Sequence, residues 1–194
     1  MPTKNPKATS PSATTTGPAN GNLSNQQYST LLPPLISKPE ELFLSELRDT
    51  YWAEKHLLVA LPKMIDAAGD AALQTALSNH LTETATHVTR LEDIFSSLGA
   101  EAVPKKCAAL EGLAISGENV IQSTLPGSEV RDNGIISSGI KVENFEIVTY
   151  QGLIRQANEL GYSEAGNLLQ ETLNEEIAAS ELLNSLATKS TTTK

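Results

Sequence analysis

Cysteine is almost absent from this chain of 194 residues: Cys107 stands alone. That excludes an intrachain disulfide and any zinc site built from several thiolates, and it fits a reducing compartment. Aromatic residues make up only 4%. Basic residues are scarce too, with 14 Lys and Arg against 23 Asp and Glu, a formal net charge of −9. The chain therefore lacks the basic footprint expected of a nucleic-acid binder and the polybasic segments that seek anionic lipid. No apolar run approaches the ~20 residues that span a bilayer, and the N-terminus lacks the apolar core of a secretory signal. These absences describe a cytoplasmic protein with no nucleic-acid and no membrane partner, and an acidic balance compatible with cation binding.

Residues 1–37 are dominated by Pro, Ser, Thr, Asn and Gly, the composition of a disordered low-complexity tail. Its last apolar stretch, "LLPPLI", is an extended segment suited to docking. Beyond it the periodicity is helical and no strand pattern emerges. A first long helix follows Ser37 as N-cap, with Pro39 and Glu40 in its first turn, and runs to about Ala68. Pro62 inside it predicts a kink or local break. A second runs from Ala71 to Leu98. Residues 104–123 hold one or two shorter helices interrupted by Gly112 and Gly117. A third long helix runs from about Arg131 to Leu160, with Gly134 and Gly139 as soft spots. A fourth runs from Ser163 to Thr188, and residues 189–194 form a frayed polar end. Two helical hairpins joined by a crossover of some 30 residues give an all-α, ferritin-like four-helix bundle over residues 38–188, with one long crossover carrying one or two extra short helices.

The second hairpin repeats the first at an offset of 92. Gly69 maps to Gly161, Leu77 to Leu169, Leu81 to Leu173 and Leu91 to Leu183. Glu54 maps to Glu146 and Glu83 to Glu175, so each hairpin places one carboxylate 15 residues before its turn glycine and another 14 after it. Antiparallel helices bring such positions to one height, which puts four Glu in one layer of the bundle. At ~100° per residue, Glu54 falls within ~20° of the centre of the stripe formed by Leu47, Tyr51, Leu58, Leu61 and Ile65. Glu146 shares a face with Val142, Tyr150 and Leu153. Glu175 shares one with Leu168, Thr172 and Leu182. Glu83 lies nearer its stripe's edge, beside the directions of Ala76 and Ile94. His80 and His87 align with Leu73 and Leu91, and Glu143 and Glu171 lie one turn before Glu146 and Glu175.

Several inward carboxylates in one layer cannot all stay ionised without countercharge. Lys55, Arg90, Lys141 and Arg155 point elsewhere on their wheels. Metal is the economical remedy, and a carboxylate-plus-imidazole donor set suits iron or manganese better than calcium. Two such ions neutralise about four carboxylates, the arrangement found in bundle cores built on Glu and Glu-x-x-His ligands. Glu54 and Glu146 are then terminal ligands and Glu83 and Glu175 bridging ones. His80, His87 and Glu143 compete for the remaining positions. Tyr51 and Tyr150 fall near the layer as core aromatics, and Cys107 reads as a structural or partly exposed thiol.

The stretches "ELRDTYWAEKHLLVALPKMIDAA", "HLTETATHVTRLEDIFSSLG", "KKCAALEGL", "KVENFEIVTYQGLI" and "LLQETLNEEIAASELL" resemble the YciE/YciF family of ferritin-like bacterial proteins over residues 40–187. The resemblance implies a homodimeric, stress-linked bundle with a dinuclear site using Glu54, Glu83, Glu143, Glu146 and Glu175, with His80 in the "HLxET" stretch. Ferritin-like sites usually carry His three residues after the bridging Glu. Thr86 and Ala178 stand there instead, which makes the site richer in carboxylate. The expected function is binding of two iron or manganese ions with oxygen or peroxide chemistry, ferroxidase-like or peroxide-consuming. The alternative is a non-catalytic structural or interaction module whose metal site is vestigial or purely structural.

Overall fold

The computed structural model describes residues 35–190, with side chains to residue 187. The tail expected over 1–37 and the polar end at 189–194 fall mainly outside the described residues. Five α-helices follow one another: α1 Pro39–Ala67, α2 Ala71–Ser97, α3 Ala108–Ser123, α4 Glu129–Glu159 and α5 Ser163–Ser190. There is no strand among the described residues, and no helix is long and apolar enough to cross a membrane.

Helix starts follow local chemistry. Asp70 caps α2 by accepting from Leu73 N at 2.8 Å, and Ser128 caps α4 by accepting from Arg131 N at 3.2 Å. α1 starts one residue later than expected. Lys38 holds the N-cap without a side-chain bond, and Ser37 instead donates its backbone N–H to Glu41 Oε2 at 3.0 Å. α1 also continues through Pro62 rather than breaking there. The helix already has packing partners on both sides of the proline, Leu61 and Met64 among them, which outweigh the one lost backbone bond. The crossover holds one extra helix, not two.

α1 pairs with α2 and α4 with α5. α2 lies against α5 and α1 against α4, which closes a four-helix ring of ferritin-like form, with α3 laid over α1 and α4. Glycines that look like weak points in the sequence are points of close approach. A Cβ on Gly117 would come within 2.6 Å of Met64 Cε, and one on Gly134 would collide with Val120 of α3. Arg131 locks the end of α3, donating to Ile121 O at 2.7 Å, to Thr124 Oγ1 at 3.1 Å and to Thr124 O.

The apolar interior is divided. One cluster holds Phe43, Leu47, Tyr51, Leu91, Phe95, Tyr150, Leu153 and Leu169. The other holds Leu57, Leu61, Leu73, Leu77, Ile135, Val142 and Leu183. Along every long helix the fully inward positions between these clusters carry buried polar residues, and they form the layer described next.

Candidate metal centre

Between the two clusters α1 contributes Glu54, α2 contributes His80, Thr84 and His87, α4 contributes Glu143 and Glu146, and α5 contributes Glu176, all buried. Two ligand groups emerge. Glu54, His87 and Glu176 form one. His80, Glu143, Glu146 and Glu176 form the other, each group offering one donor atom per residue within 4.8 Å of the rest. Glu176 belongs to both.

The expected residues Glu54, His80, His87, Glu143 and Glu146 therefore lie together. Glu83 and Glu175 do not join them. Glu83 sits at the mouth of a cavity of about 130 Å³ between α2 and α5, its side chain 45% exposed, 3.5 Å from His80 Nδ1. Glu175 turns outward to Arg90, accepting from Nη1 at 2.5 Å and from Nη2 at 2.9 Å. This fork holds its carboxyl below the usual range. The inner place on α5 belongs to Glu176, fully buried.

The reason for this one-residue displacement is legible in α5. Leu168–Leu169, Glu175–Glu176 and Leu182–Leu183 are doublets seven residues apart, so two adjacent stripes look equally apolar. The structure buries the second of each doublet: Leu169, Glu176 and Leu183. The repeat contained the deciding signal. Its leucine landmarks Leu169, Leu173 and Leu183 all lie on the Glu176 stripe, whereas Glu175 is favoured by its match to Glu83, an edge residue, by the stripe of Leu168, Thr172 and Leu182, and by the family resemblance. At the same offset Glu176 pairs with Thr84, and both are fully buried. His87 stands three residues after Thr84, the Glu-x-x-His spacing with Thr in the place of Glu. Ala179 is the matching residue after Glu176.

His87 is oriented from outside. Its Nε2 lies 2.8 Å from Glu175 Oε2, so an N–H there satisfies the carboxylate that Arg90 clamps. Nδ1 then faces inward, 3.0 Å from Glu176 Oε1 and 3.5 Å from Glu54 Oε2, without an aligned hydrogen bond to either. A ring nitrogen fixed by a carboxylate behind it and a free nitrogen in front is the usual presentation of a metal-binding imidazole. Tyr150 donates to Glu54 Oε1 at 2.5 Å and leaves Oε2 free. His80 Nε2 lies 3.4 Å from Glu143 Oε1 and 3.8 Å from Glu176 Oε2. Tyr51 points away, donating to Glu92 at 2.7 Å.

The carboxylates of this layer are buried close enough to disfavour one another's charge. Burial, then the nearby Glu176 carboxylate, pushes Glu143 and Glu146 well above the carboxylate range. Burial also raises Glu54, although His87 opposes it. Burial raises Glu176 too, but His87 and His80 prevail and hold it low. His87 moves up to about 10: burial disfavours its cation, and the carboxylates of Glu176 and Glu54 outweigh that. Glu54 Oε2, Glu143 Oε2, both oxygens of Glu146, both of Glu176, and Nδ1 of His80 and of His87 are buried without a hydrogen-bond partner. Native interiors seldom leave so many polar atoms unsatisfied in one place. Two divalent cations sharing Glu176 would satisfy them and cancel four carboxylate charges, so the residues present fit a dinuclear metal group.

Comparison with known proteins agrees with the architecture. The family described as Domain of unknown function (DUF892) matches residues 38–194. Protein YciF of Escherichia coli strain K12 is 40% identical over 149 residues, covering 76% of this chain and 89% of YciF. The crystal structure of the E. coli stress protein YciF superposes with a TM-score of 0.79 at 38% identity, covering 82% of this chain and 100% of that one. YcfI of Rhodopseudomonas palustris superposes with a TM-score of 0.76 at 36% identity, covering 79% and 97% of the two chains. A Xanthomonas campestris protein at 17% identity and a TM-score of 0.63, covering 78% and 92%, shares the fold. The chain belongs to the DUF892 family, as a relative of YciF with a ferritin-like helical bundle.

Proposed function

We propose that this protein is a dinuclear carboxylate metalloprotein, holding two iron or manganese ions and acting on oxygen or peroxide under stress. The observation that carries this reading is the set of unpartnered buried donor atoms on Glu54, His80, His87, Glu143, Glu146 and Glu176. Structural need does not explain them, because an apolar layer would stabilise a bundle better than unpaired buried carboxyls. The stress role is drawn from YciF, which is named a stress protein.

Glu54 and His87 would hold one ion, His80, Glu143 and Glu146 the other, and Glu176 both. When bound, such a pair supplies two-electron redox chemistry toward oxygen or peroxide. The chain's own residues set the conditions for it. Arg90 and Glu175 fix the His87 ring. Tyr150 holds Glu54 in place. The apolar clusters on either side, with Leu57 and Tyr51 immediately flanking Glu54, exclude bulk water. The cavity between α2 and α5, lined by His80, Glu83 and Glu143 and by the small Ala178 and Ala179, joins the layer to solvent.

Ferrous iron added anaerobically and then exposed to oxygen or peroxide tests the reading. Stoichiometric uptake of two ions followed by oxidant consumption is expected, and no uptake would contradict it. A second reading, a structural role for the ions, is favoured by Thr84 and Ala179 standing where a bridging Glu and a His ligand complete the usual bundle site. It also accords with YcfI, provisionally named a structural protein. In that case metal raises stability and no oxidant is consumed.

A further inference from the structure

Two openings approach the buried layer from opposite sides of the bundle. One, of about 130 Å³, lies between α2 and α5 and has His80 and Glu143 at its inner end. The other, of about 310 Å³, lies between α1 and α4 above Glu146. Size favours the second as a way in, and charge favours the first. We infer that divalent cations reach the layer through the α2/α5 opening, with Glu83 as the carboxylate that takes them from solvent. The inference rests on the metal reading and adds to it a route and a residue that acts only during passage.

A hydrated cation gives up its waters to donors that replace them, and the charge lining a cleft sets how often it arrives. The titratable groups of the α2/α5 opening are His80, Glu83 and Glu143, and no Lys or Arg lines it. Glu83 keeps 45% of its side chain exposed, and among the described residues its carboxylate pairs with His80 and with no Lys or Arg. Behind it the donors follow one another inward. His80 Nδ1 lies 3.5 Å from Glu83 Oε2, and His80 Nε2 lies 3.4 Å from Glu143 Oε1. His80 Nδ1 and Glu143 Oε2 are buried without a hydrogen-bond partner. The His80 ring lacks the 2.8 Å tether that Glu175 gives His87, so it can tilt as an ion passes. Ala178 and Ala179 leave the facing wall of α5 low. The α1/α4 opening offers a cation much less. Its acids are Glu46, which accepts from Gln156 Nε2 at 2.5 Å, and Asp49, which is paired with Lys105 at 2.8 Å. The exposed Arg155 adds a second positive charge to that rim, so its acids and bases balance. Glu146 beneath them is only 1% exposed.

A group met only in passage changes the barrier, so it alters entry and release by one common factor and leaves the equilibrium untouched, whereas a ligand shifts the equilibrium. Metal-free protein mixed with Mn²⁺ gives the entry rate, from the loss of the free-ion paramagnetic resonance signal. Loaded protein mixed with saturating EDTA gives the release rate. Glu83→Gln should slow both about fivefold, the worth of one unit charge at contact distance in water, with the final Mn²⁺ content unchanged. The difference should shrink at about 1 M salt. Ala178→Phe, at an exposed position of the mouth, should slow both at least about tenfold by narrowing the aperture. Gly152→Leu narrows the α1/α4 opening at a place where a Cβ meets nothing within 4 Å, and should change neither rate. Unchanged rates in Glu83→Gln or in folded Ala178→Phe, slowed entry in Gly152→Leu, or Mn²⁺ lost at equilibrium from Glu83→Gln overturns the inference. Should Ala178→Phe not fold, Glu83→Lys takes its place: slower exchange than in Glu83→Gln supports the route, and equal rates overturn it. A wild-type protein that takes up no Mn²⁺ overturns the metal reading and the route together, while full uptake at rates indifferent to Glu83 overturns the route alone.

Discussion

The two hairpins share a scaffold and differ in chemistry. The first, α1–α2, brings one buried glutamate and two buried histidines to the central layer. The second, α4–α5, brings three buried glutamates and no histidine. The contrast is sharpest at Thr84 and Glu176, which occupy matching places. Thr84 spends its hydroxyl on His80 O at 2.9 Å, whereas neither Glu176 oxygen has an aligned hydrogen bond. The repeat therefore preserves packing, which needs only apolar residues at matching heights, while the donor set has been divided between the halves. One consequence is a single shared carboxylate, where a symmetric site would have two.

Glu176→Gln attacks that asymmetry most directly. It keeps the shape and removes the anionic carboxylate both ligand groups need, so both ions should be lost in elemental analysis. Glu54→Ala and Glu146→Ala should each cost mainly one ion, because each belongs to one group only. If the single replacements empty both places equally, the two groups are not separable.

Metal removal and pH come next in size. Glu54, Glu143, Glu146 and His87 are all raised in the folded protein. A raised group stabilises fully below its unfolded value and loses that contribution as pH rises through the folded one. Those unfolded values are 4.5 for the glutamates and 6.5 for His87, whose folded value is about 10. The metal-free protein should therefore lose thermal stability steadily as pH rises from about 5 toward 10. Glu175 and Glu176 are lowered, so their contribution is lost below 4.5 instead. Metal reverses the slope, since its ligands must be deprotonated. At 100 times Kd it should add about 2.7 kcal/mol, a Tm rise of roughly 5–10 °C at this chain length. Differential scanning calorimetry with and without Mn²⁺ checks both signs.

Smaller effects separate the outer residues. Glu175→Gln weakens the clamp on His87 and should lower metal affinity about 10–100-fold, read by competition with a chelating dye. Glu83→Gln, at an exposed mouth, should change stability by no more than about 0.5 kcal/mol in a denaturant titration. A large loss of bound metal in Glu83→Gln would bring that residue into the ligand set.

The all-helical bundle, its hairpin turns and its crossover were readable because long amphipathic helices bounded by glycine leave few alternatives. Glu54, Glu143 and Glu146 were readable because a carboxylate amid leucines is conspicuous on a helical wheel. His80 and His87 followed from their seven-residue spacing with Leu73. Glu176 was hidden by the α5 doublets, where a rotation of one residue buries an equally apolar face, and which face wins is settled by α2 and α4. The role of Arg90 was hidden for a different reason: a long side chain reaches Glu175 from a direction its own helix wheel does not show. Continuity of α1 at Pro62 reflects tertiary packing, which local propensity does not contain.

Anomalous diffraction at the manganese or iron edge, from crystals loaded with that metal, tests the central claim most directly. Two peaks flanking the Glu176 carboxylate are predicted, one beside Glu54 and His87 and the other beside His80, Glu143 and Glu146. No peak within this layer, in crystals whose protein is folded and metal-treated, would contradict it.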